Sequence, residues 1–335
     1  MVTAALLLVV QTVGAQYPLA PSPVLDLRTL THDLRLSGYV SARETLRRDT
    51  LTAVINRARL TAQVLPAPFA AIRVQADFAA TGFARADTVP AILLTDAYIE
   101  LVPPATLART GPHALHPALI VGQFRTPFSL EFLTPFSLLQ TANRSQPIDR
   151  HTTRRDIGLL GQLAVGHMVT VNGALVNGEG SNRLTNPDGR EMAIGRVTVF
   201  PLARLAVAAK YLGQGPDHRW GYDARWMGHG ALVEGEFLAR RGPFTSTTAV
   251  DARGGYVLAS YRIRPWFQPV LKWEHLRDQR TTGATISMNS LTYTTFGINL
   301  LSSGESIRLL VDGIYKSEAS VFTGTELEVQ LIAIF

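Results

Sequence analysis

From about residue 30 onward, apolar and polar residues alternate with a period of two, and clusters of Gly, Pro, Asn and Asp interrupt the alternation. The pattern predicts sixteen β-strands. The first eight are Leu30–Ala42, Leu51–Leu65, Phe69–Ala80, Ile92–Val102, Ala118–Thr126, Arg155–Val165, Met168–Val176 and Met192–Phe200. The second eight are Arg204–Leu212, Trp220–Met227, Ala231–Arg240, Gly254–Ile263, Phe267–Arg277, Met288–Leu300, Ser306–Lys316 and Glu326–Phe335. In Leu51–Leu65, the side chains of Arg57, Arg59, Thr61 and Gln63 share one face, and Val54, Ala58, Leu60 and Val64 share the other. In the last strand Glu326, Glu328 and Gln330 alternate with Leu327, Val329, Leu331, Ala333 and Phe335. No run after the N-terminus is long and apolar enough to span a bilayer as a helix.

The connections sort by parity. Pro66–Pro68, Gly166–His167, Pro201–Ala203, Gly228–Gly230, Arg264–Trp266 and Leu301–Glu305 are short and even-numbered. Ser41–Thr50, Thr81–Ala91, Pro127–Arg154, Asn177–Glu191, Arg241–Arg253 and Asp278–Ser287 are longer and odd-numbered. Only Pro103–Pro117 breaks the rule. Short turns on one side and long loops on the other mark a closed antiparallel transmembrane barrel with an even strand count. Tyr211, Trp226, Phe237, Trp273 and Tyr315 sit on or near strand ends, where aromatic girdles form.

Composition adds export and charge. Ala4–Val10 is a short apolar core followed by the small residues Val13, Gly14 and Ala15, which reads as a signal peptide over 1–15. A periplasmic segment, 16–29, then precedes a barrel over 30–335. The last strand ends on Phe335, the kind of terminal aromatic that barrel-assembly machinery engages. With no cysteine there is no disulfide framework and no thiolate metal site. The net charge is +6, carried by arginine, since the only lysines are Lys210, Lys272 and Lys316. The arginines stand singly inside strand-like segments. That favours a lined channel for small anions over a nucleic-acid surface, which needs a basic run.

One stretch is distinctive: VGQFRTPFSLEFL, Val121–Leu133. With NRARL (Asn56–Leu60), DAYIEL (Asp96–Leu101), NRSQPIDR (Asn143–Arg150), RDIGLLGQ (Arg155–Gln162), ALVNGEG (Ala174–Gly180) and GRVTVFP (Gly195–Pro201), it resembles the phosphate-selective porin family, porins O and P and their relatives. Weaker similarity continues through VEGEFL (Val233–Leu238), GGYVLASYR (Gly254–Arg262) and QPVLKWE (Gln268–Glu274). The resemblance implies a sixteen-stranded barrel, a homotrimer in outer-membrane lipid, conducting small anions or other nutrients. Known phosphate-favouring members place lysines near the constriction, and the loop here has none.

Pro127–Arg154 is the third odd connection and too apolar for an exposed loop. It is expected to fold into the barrel, with Phe128, Glu131, Phe132 and Phe136 forming the constriction loop. Arg144, Asp149, Arg150 and Arg154 would then face the solute path. Guanidinium groups fork onto phosphate or carboxylate oxygens, and a ladder of them selects anions. The lumenal candidates are Arg57, Arg59, Arg73, Arg125, Arg196, Arg204 and Arg225. The same face carries Asp77, Asp96, Asp156, Glu234, Glu236 and Glu274, which either pair with the arginines and cancel the field or leave a surplus. A general nutrient porin therefore stands beside the anion-selective one. An outer-membrane barrel enzyme is the remaining class, although no nucleophile elbow, P-loop or HExxH spacing occurs. No cofactor is expected.

Overall fold

The computed structural model describes residues 34–79, 93–103, 115–319 and 323–335, except 184, 244 and 246, together with the pair 25–26. The signal-peptide reading over 1–15, most of the segment 16–29, the connection 81–91 and most of 103–117 lie outside the described residues.

All sixteen strands are present. They are β1 (Arg35–Arg47), β2 (Thr50–Ala67), β3 (Ala70–Asp77), β4 (Leu93–Leu101), β5 (Leu115–Arg125), β6 (Arg155–Val165), β7 (Val169–Val176) and β8 (Met192–Leu202). Next come β9 (Leu205–Gln214), β10 (Asp217–Gly228), β11 (Ala231–Pro243), β12 (Thr248–Tyr261), β13 (Phe267–Thr282), β14 (Thr285–Leu301), β15 (Ile307–Glu318) and β16 (Thr323–Ile334). Each strand pairs antiparallel with the next, and β16 pairs with β1, Ile334 opposite Tyr39, to close the ring. Phe335 completes this seam by exchanging backbone hydrogen bonds with Gly38 (2.8 and 3.0 Å). The residues Leu25–Asp26 add a two-residue strand against the start of β1.

Two expectations are corrected. The first strand runs Arg35–Arg47 rather than Leu30–Ala42. Three connections expected to be long, at 41–50, 241–253 and 278–287, are tight, because their flanking strands extend far beyond the expected ends. Arg48–Asp49 joins β1 to β2, with Arg48 in the left-handed region (φ 53°). Gly283–Ala284 joins β13 to β14, with Gly283 at φ 57°. Polar strand ends that project past an apolar belt resemble loops in composition, although their backbone stays paired.

The barrel is polar inside and apolar outside. Lys272, Glu274, Asp278, Asn299, Arg308, Asp312 and Gln330 are buried, whereas Leu159, Val171, Val257, Leu271, Phe296 and Leu331 are exposed. A closed ring leaves no unpaired edge, and its exterior suits hydrocarbon; this is a membrane-spanning barrel. Trp226, Tyr261 and Trp266 sit beside the short turns, and Tyr211, Trp220, Tyr222 and Phe237 toward the opposite strand ends. Tyr222 stacks on Phe237 with ring centroids 5.1 Å apart.

Two bulges enrich one stretch of the inner wall. Ser41 faces Arg57 and Ala42 faces Ile55, so Asn56 is an extra residue in β2. Gln75 faces Asp96 and Ala76 faces Leu94, so Thr95 is an extra residue in β4. Asn56 donates to Gln330 (2.9 Å), and Thr95 donates to Gln75 (3.0 Å). In β5, Gly122 (φ +127°) adopts a conformation that L side chains avoid, and a Cβ there would lie 2.3 Å from the Ala97 carbonyl oxygen.

The connection 126–154 folds into the lumen as expected. It carries a short helix α1 (Leu130–Leu133), a 3-10 turn at Phe136–Leu138 and a helix α2 (Gln146–His151). Ser129 caps α1 by accepting from the Phe132 N–H (3.1 Å). The apolar side chains of the loop seat on two apolar pads of the inner wall. Phe128 and Ile148 join Leu160, Met192, Ile194, Leu212, Leu238 and Leu258. Phe136 and Leu139 join Tyr39, Leu310, Ile332 and Ile334. Burying a large apolar side chain contributes about 1.5–3 kcal/mol, so the loop is docked and not draped.

Candidate functional site: an arginine-lined constriction

Where the loop meets the wall formed by β2 to β6, six guanidinium groups converge. Arg59 (Nε, 2.8 Å) and Arg57 (Nε, 3.7 Å) share Asp77. Arg155 (Nε, 2.6 Å) and Arg73 (Nε, 3.5 Å) share Asp96. Arg125 donates to the Leu133 carbonyl (2.9 Å). Arg144, on the loop, donates to the carbonyls of Thr134 (3.0 Å) and Glu131 (3.3 Å). Two carboxylates thus serve four arginines, and two further arginines are held by carbonyls. Glu100, further along β4, and Glu131, buried in the loop beside Arg144, make no ion pair with them; counting Glu100 leaves three positive charges in surplus, and counting an ionised Glu131 as well leaves two.

The gap is lined by aromatic faces. Arg144 lies over the rings of Phe132 (4.6 Å) and Phe136 (5.7 Å). Arg57 lies over Phe136 (5.0 Å) and Arg155 over Phe132 (5.9 Å). The wall and the loop therefore meet through cation–π contacts, which orient the guanidiniums without neutralising them.

On the opposite wall the charges balance. Arg196 and Lys210 meet Asp223, and Lys210 also meets Glu236. Glu236 in turn accepts from Ser129 Oγ and the Glu131 N–H, both at 3.0 Å. Other wall residues pin the loop further along. Lys272 donates to Thr141 Oγ1 and the Asn143 carbonyl (2.9 Å each). Asp312 accepts from the Ala142 N–H (2.6 Å), and Glu328 accepts from Asn143 Nδ2 (2.5 Å). Arg219 donates to the His151 carbonyl (2.9 Å). Arg308 donates to the Ser137 and Leu139 carbonyls.

Of the residues singled out from sequence, Arg57, Arg59, Arg73, Arg125 and Arg144 come together at the constriction, with Phe132 and Phe136. Glu131 is buried in the loop, where it accepts from the Ser145 N–H and Oγ (2.9 Å each). Phe128 lies away from the arginines, under Lys210. Arg196 is buried in its pair with Asp223. Arg150 and Arg154 are exposed and hold Gln146 and Asp149. Arg225 faces the space beneath the loop and pairs with Glu234. Arg204 is exposed on the turn between β8 and β9, outside the lumen, because the strand starts one residue later than the alternation suggests. Asp156 accepts backbone N–H groups of Ile157 and Gly180 and pairs with no arginine. Glu274 accepts from the Gln146 N–H.

Sequence reasoning missed Arg155, Lys210 and Lys272. Strand alternation groups Arg155 with the outward Leu159 and Leu163, yet it turns inward where the loop rejoins the wall. The two lysines are the only ones among the described residues that touch the loop, and both are committed to anchoring it.

Glu131 makes the charge balance pH-dependent. Burial pushes its carboxyl up to about 7, against the opposing pull of Lys272 and Arg144. Below pH 7 it is neutral; above it, ionised, and the positive surplus beside Arg144 shrinks by one. Anion-to-cation permeability is therefore expected to fall as pH rises through about 7, and Glu131→Gln to hold it at the low-pH value. Reversal potentials at pH 5.5 and 8.5 read this directly, and an equal shift in wild type and variant would reject the assignment.

No protein-family model matches the chain, and no curated protein matches it. Solved structures do. OmpF of Salmonella typhi, in a complex with daunomycin, is 12% identical, with a TM-score of 0.67 over 90% of this chain and 97% of that one. The outer membrane channel DcaP of Acinetobacter baumannii is 12% identical (TM-score 0.63; 90% and 97%). The anion-selective porin from Comamonas acidovorans is 11% identical (TM-score 0.62; 90% and 99%). Identity at this level speaks for fold alone. The chain has the closed, sixteen-stranded barrel fold of bacterial outer-membrane porins.

Proposed function

We propose that the barrel is a passive diffusion channel of the bacterial outer membrane that favours small anions. The observation that carries this reading is the set of six guanidiniums, Arg57, Arg59, Arg73, Arg125, Arg144 and Arg155, gathered around only two paired carboxylates, Asp77 and Asp96. On the facing wall, by contrast, Arg196 and Lys210 are matched by Asp223 and Glu236. A local positive surplus in a water-filled passage with low-dielectric walls raises anion occupancy and repels cations. Arginine forks fit phosphate and carboxylate alike, so the solute class is small oxyanions, with inorganic phosphate the member the sequence resemblance points to. A cleaved leader over 1–15, recognition of Phe335 by assembly machinery, and a homotrimer in outer-membrane lipid complete the reading.

The test is a reversal potential in planar bilayers under a potassium chloride gradient, repeated with potassium phosphate. A sign reporting anion preference is expected in both salts. Zero conductance would overturn the channel reading. A cation-selective sign would overturn the anion reading and leave a general porin.

A further inference from the structure

The lumen contains a second feature that the arginine path does not use. Between the underside of the loop and the short turns joining β10 to β11, β12 to β13 and β14 to β15 lies a cavity of about 760 Å3. A wide barrel ordinarily presents polar walls to its water. This chamber carries, beside its charged residues, a cluster of apolar side chains: Leu138, Leu139, Met227, Leu232, Leu258 and Leu301. Met227 shares the inner face of β10 with Asp223 and Arg225, yet it is 41% exposed. It is apolar surface left facing the inside of the barrel.

Among the charged side chains that line the chamber, Glu131 is bonded to the Ser145 N–H and Oγ, Arg225 and Arg262 are ion-paired, and Arg308 is the cation without a carboxylate partner. Arg225 is held by Glu234 (Nε, 2.7 Å) and by Thr134 Oγ1 (2.7 Å). Arg262 is held by Glu305 (2.5 Å). Arg308 is only 1% exposed and lines the same cavity, but its partners are the two loop carbonyls. It makes no ion pair among the described residues, and its Nε has no hydrogen-bond acceptor. A buried guanidinium without a counter-charge is unfavourable, and so is an unmet buried donor. The chamber thus combines an apolar wall, one guanidinium without a carboxylate partner and one unused donor.

We infer that this chamber binds an amphipathic monoanion, a carboxylate carried on a short alkyl chain or an aromatic body. Its carboxylate supplies the acceptor and the charge that Arg308 lacks, beside Arg262, and its apolar part lies on the leucines and Met227. A monoanion supplies the single carboxylate that Arg308 lacks. A strongly hydrated phosphate dianion gains nothing from six apolar side chains. The volume falls within the roughly 300–1,000 Å3 usual for small-molecule sites. The inference does not depend on which ions the channel prefers.

Trp266 lines the chamber, which supplies a reporter. The full barrel, with Trp220, Trp226 and Trp273 changed to Phe, is placed in lipid nanodiscs and titrated with 8-bromooctanoate, whose bromine quenches nearby tryptophan. Saturable quenching is expected, reversed by octanoate but not by acetate, phosphate or octyltrimethylammonium. Arg308→Met, which removes the guanidinium, and Leu232→Glu, which adds a negative charge on the wall away from the loop, should each weaken the probe at least tenfold. If Arg308→Met loosens the loop and fails to fold, Leu232→Glu still decides. Quenching that is linear in probe and identical in the variants would mean partition into lipid and would overturn the site. Competition by phosphate would move the probe to the constriction, and competition by octyltrimethylammonium would remove the requirement for an anion; either result overturns the inference.

Discussion

Replacing Arg57 and Arg155 together by glutamine is expected to lower the anion-to-cation permeability ratio several-fold, and adding Arg144→Gln to bring it near unity. Arg57 and Arg155 are the informative pair because each shares its carboxylate with a second arginine. Without them, Asp77 keeps Arg59 at 2.8 Å and Asp96 keeps Arg73 at 3.5 Å, so no buried carboxylate is orphaned. The fold should persist while the surplus over Asp77 and Asp96 falls from four charges to two. A unit charge about 6 Å from a permeating ion acts with roughly 1 kcal/mol at an effective dielectric near 60, which is a several-fold change in relative occupancy. Raising the salt concentration should shrink the difference, because screening shortens the reach of each charge. Arg150→Gln with Arg154→Gln is the matched comparison, since both side chains are exposed and bonded to Gln146 and Asp149, not to Asp77 or Asp96. If the two pairs change the reversal potential equally, selectivity is not set at the constriction.

The second large effect concerns the loop itself. Glu236→Leu removes the acceptor that holds Ser129 Oγ and the Glu131 N–H, and it leaves Lys210 with Asp223 alone. Removing one partner of a buried ionic network commonly costs about 3–5 kcal/mol. Part of that cost can be relieved here by releasing the first half of the loop from the wall. Larger and noisier single-channel conductance is expected, together with tryptic cleavage within 126–154 that the wild type resists. Unchanged conductance and unchanged resistance would mean that the apolar pads around Phe128 and Phe136 are sufficient to hold the loop. The two experiments read different properties, charge in the first and width in the second.

Much of the architecture was legible because a barrel writes its topology into periodicity and connection length. Every predicted strand exists, and the apolar third odd connection lies inside the lumen. Strand ends were less legible, since Arg48–Asp49 and Gly283–Ala284 look like the middle of loops until the pairing around them is known. The rule of polar inside and apolar outside also concealed the pads. Leu160, Met192, Ile194, Leu212 and Leu310 point inward, and only the docked loop explains why. The site was legible as an arginine excess but not as a location. Arg57 and Arg59 follow from alternation in β2, whereas Arg196 has the same signature and is consumed by Asp223. What separates them is which inner carboxylates they meet across neighbouring strands, and that depends on register. The bulges at Asn56 and Thr95 shift that register by one residue, and no local signal in the sequence announces them.

The seam between β16 and β1 has a consequence for assembly. Every other pairing joins neighbours in sequence, so those contacts can be laid down hairpin by hairpin. The seam joins residues as far apart as Tyr39 and Ile334. Bringing such distant segments together carries a loop-closure entropy of about 5 kcal/mol for some 300 residues. Until it forms, both strands present open edges, and each unmet backbone group in hydrocarbon costs several kcal/mol more. Closure is then expected to come last and to be cooperative. A substitution at Gly38, whose added Cβ would lie 2.4 Å from the Arg59 carbonyl oxygen and 2.6 Å from the Phe335 ring, is therefore expected to slow the appearance of folded barrels.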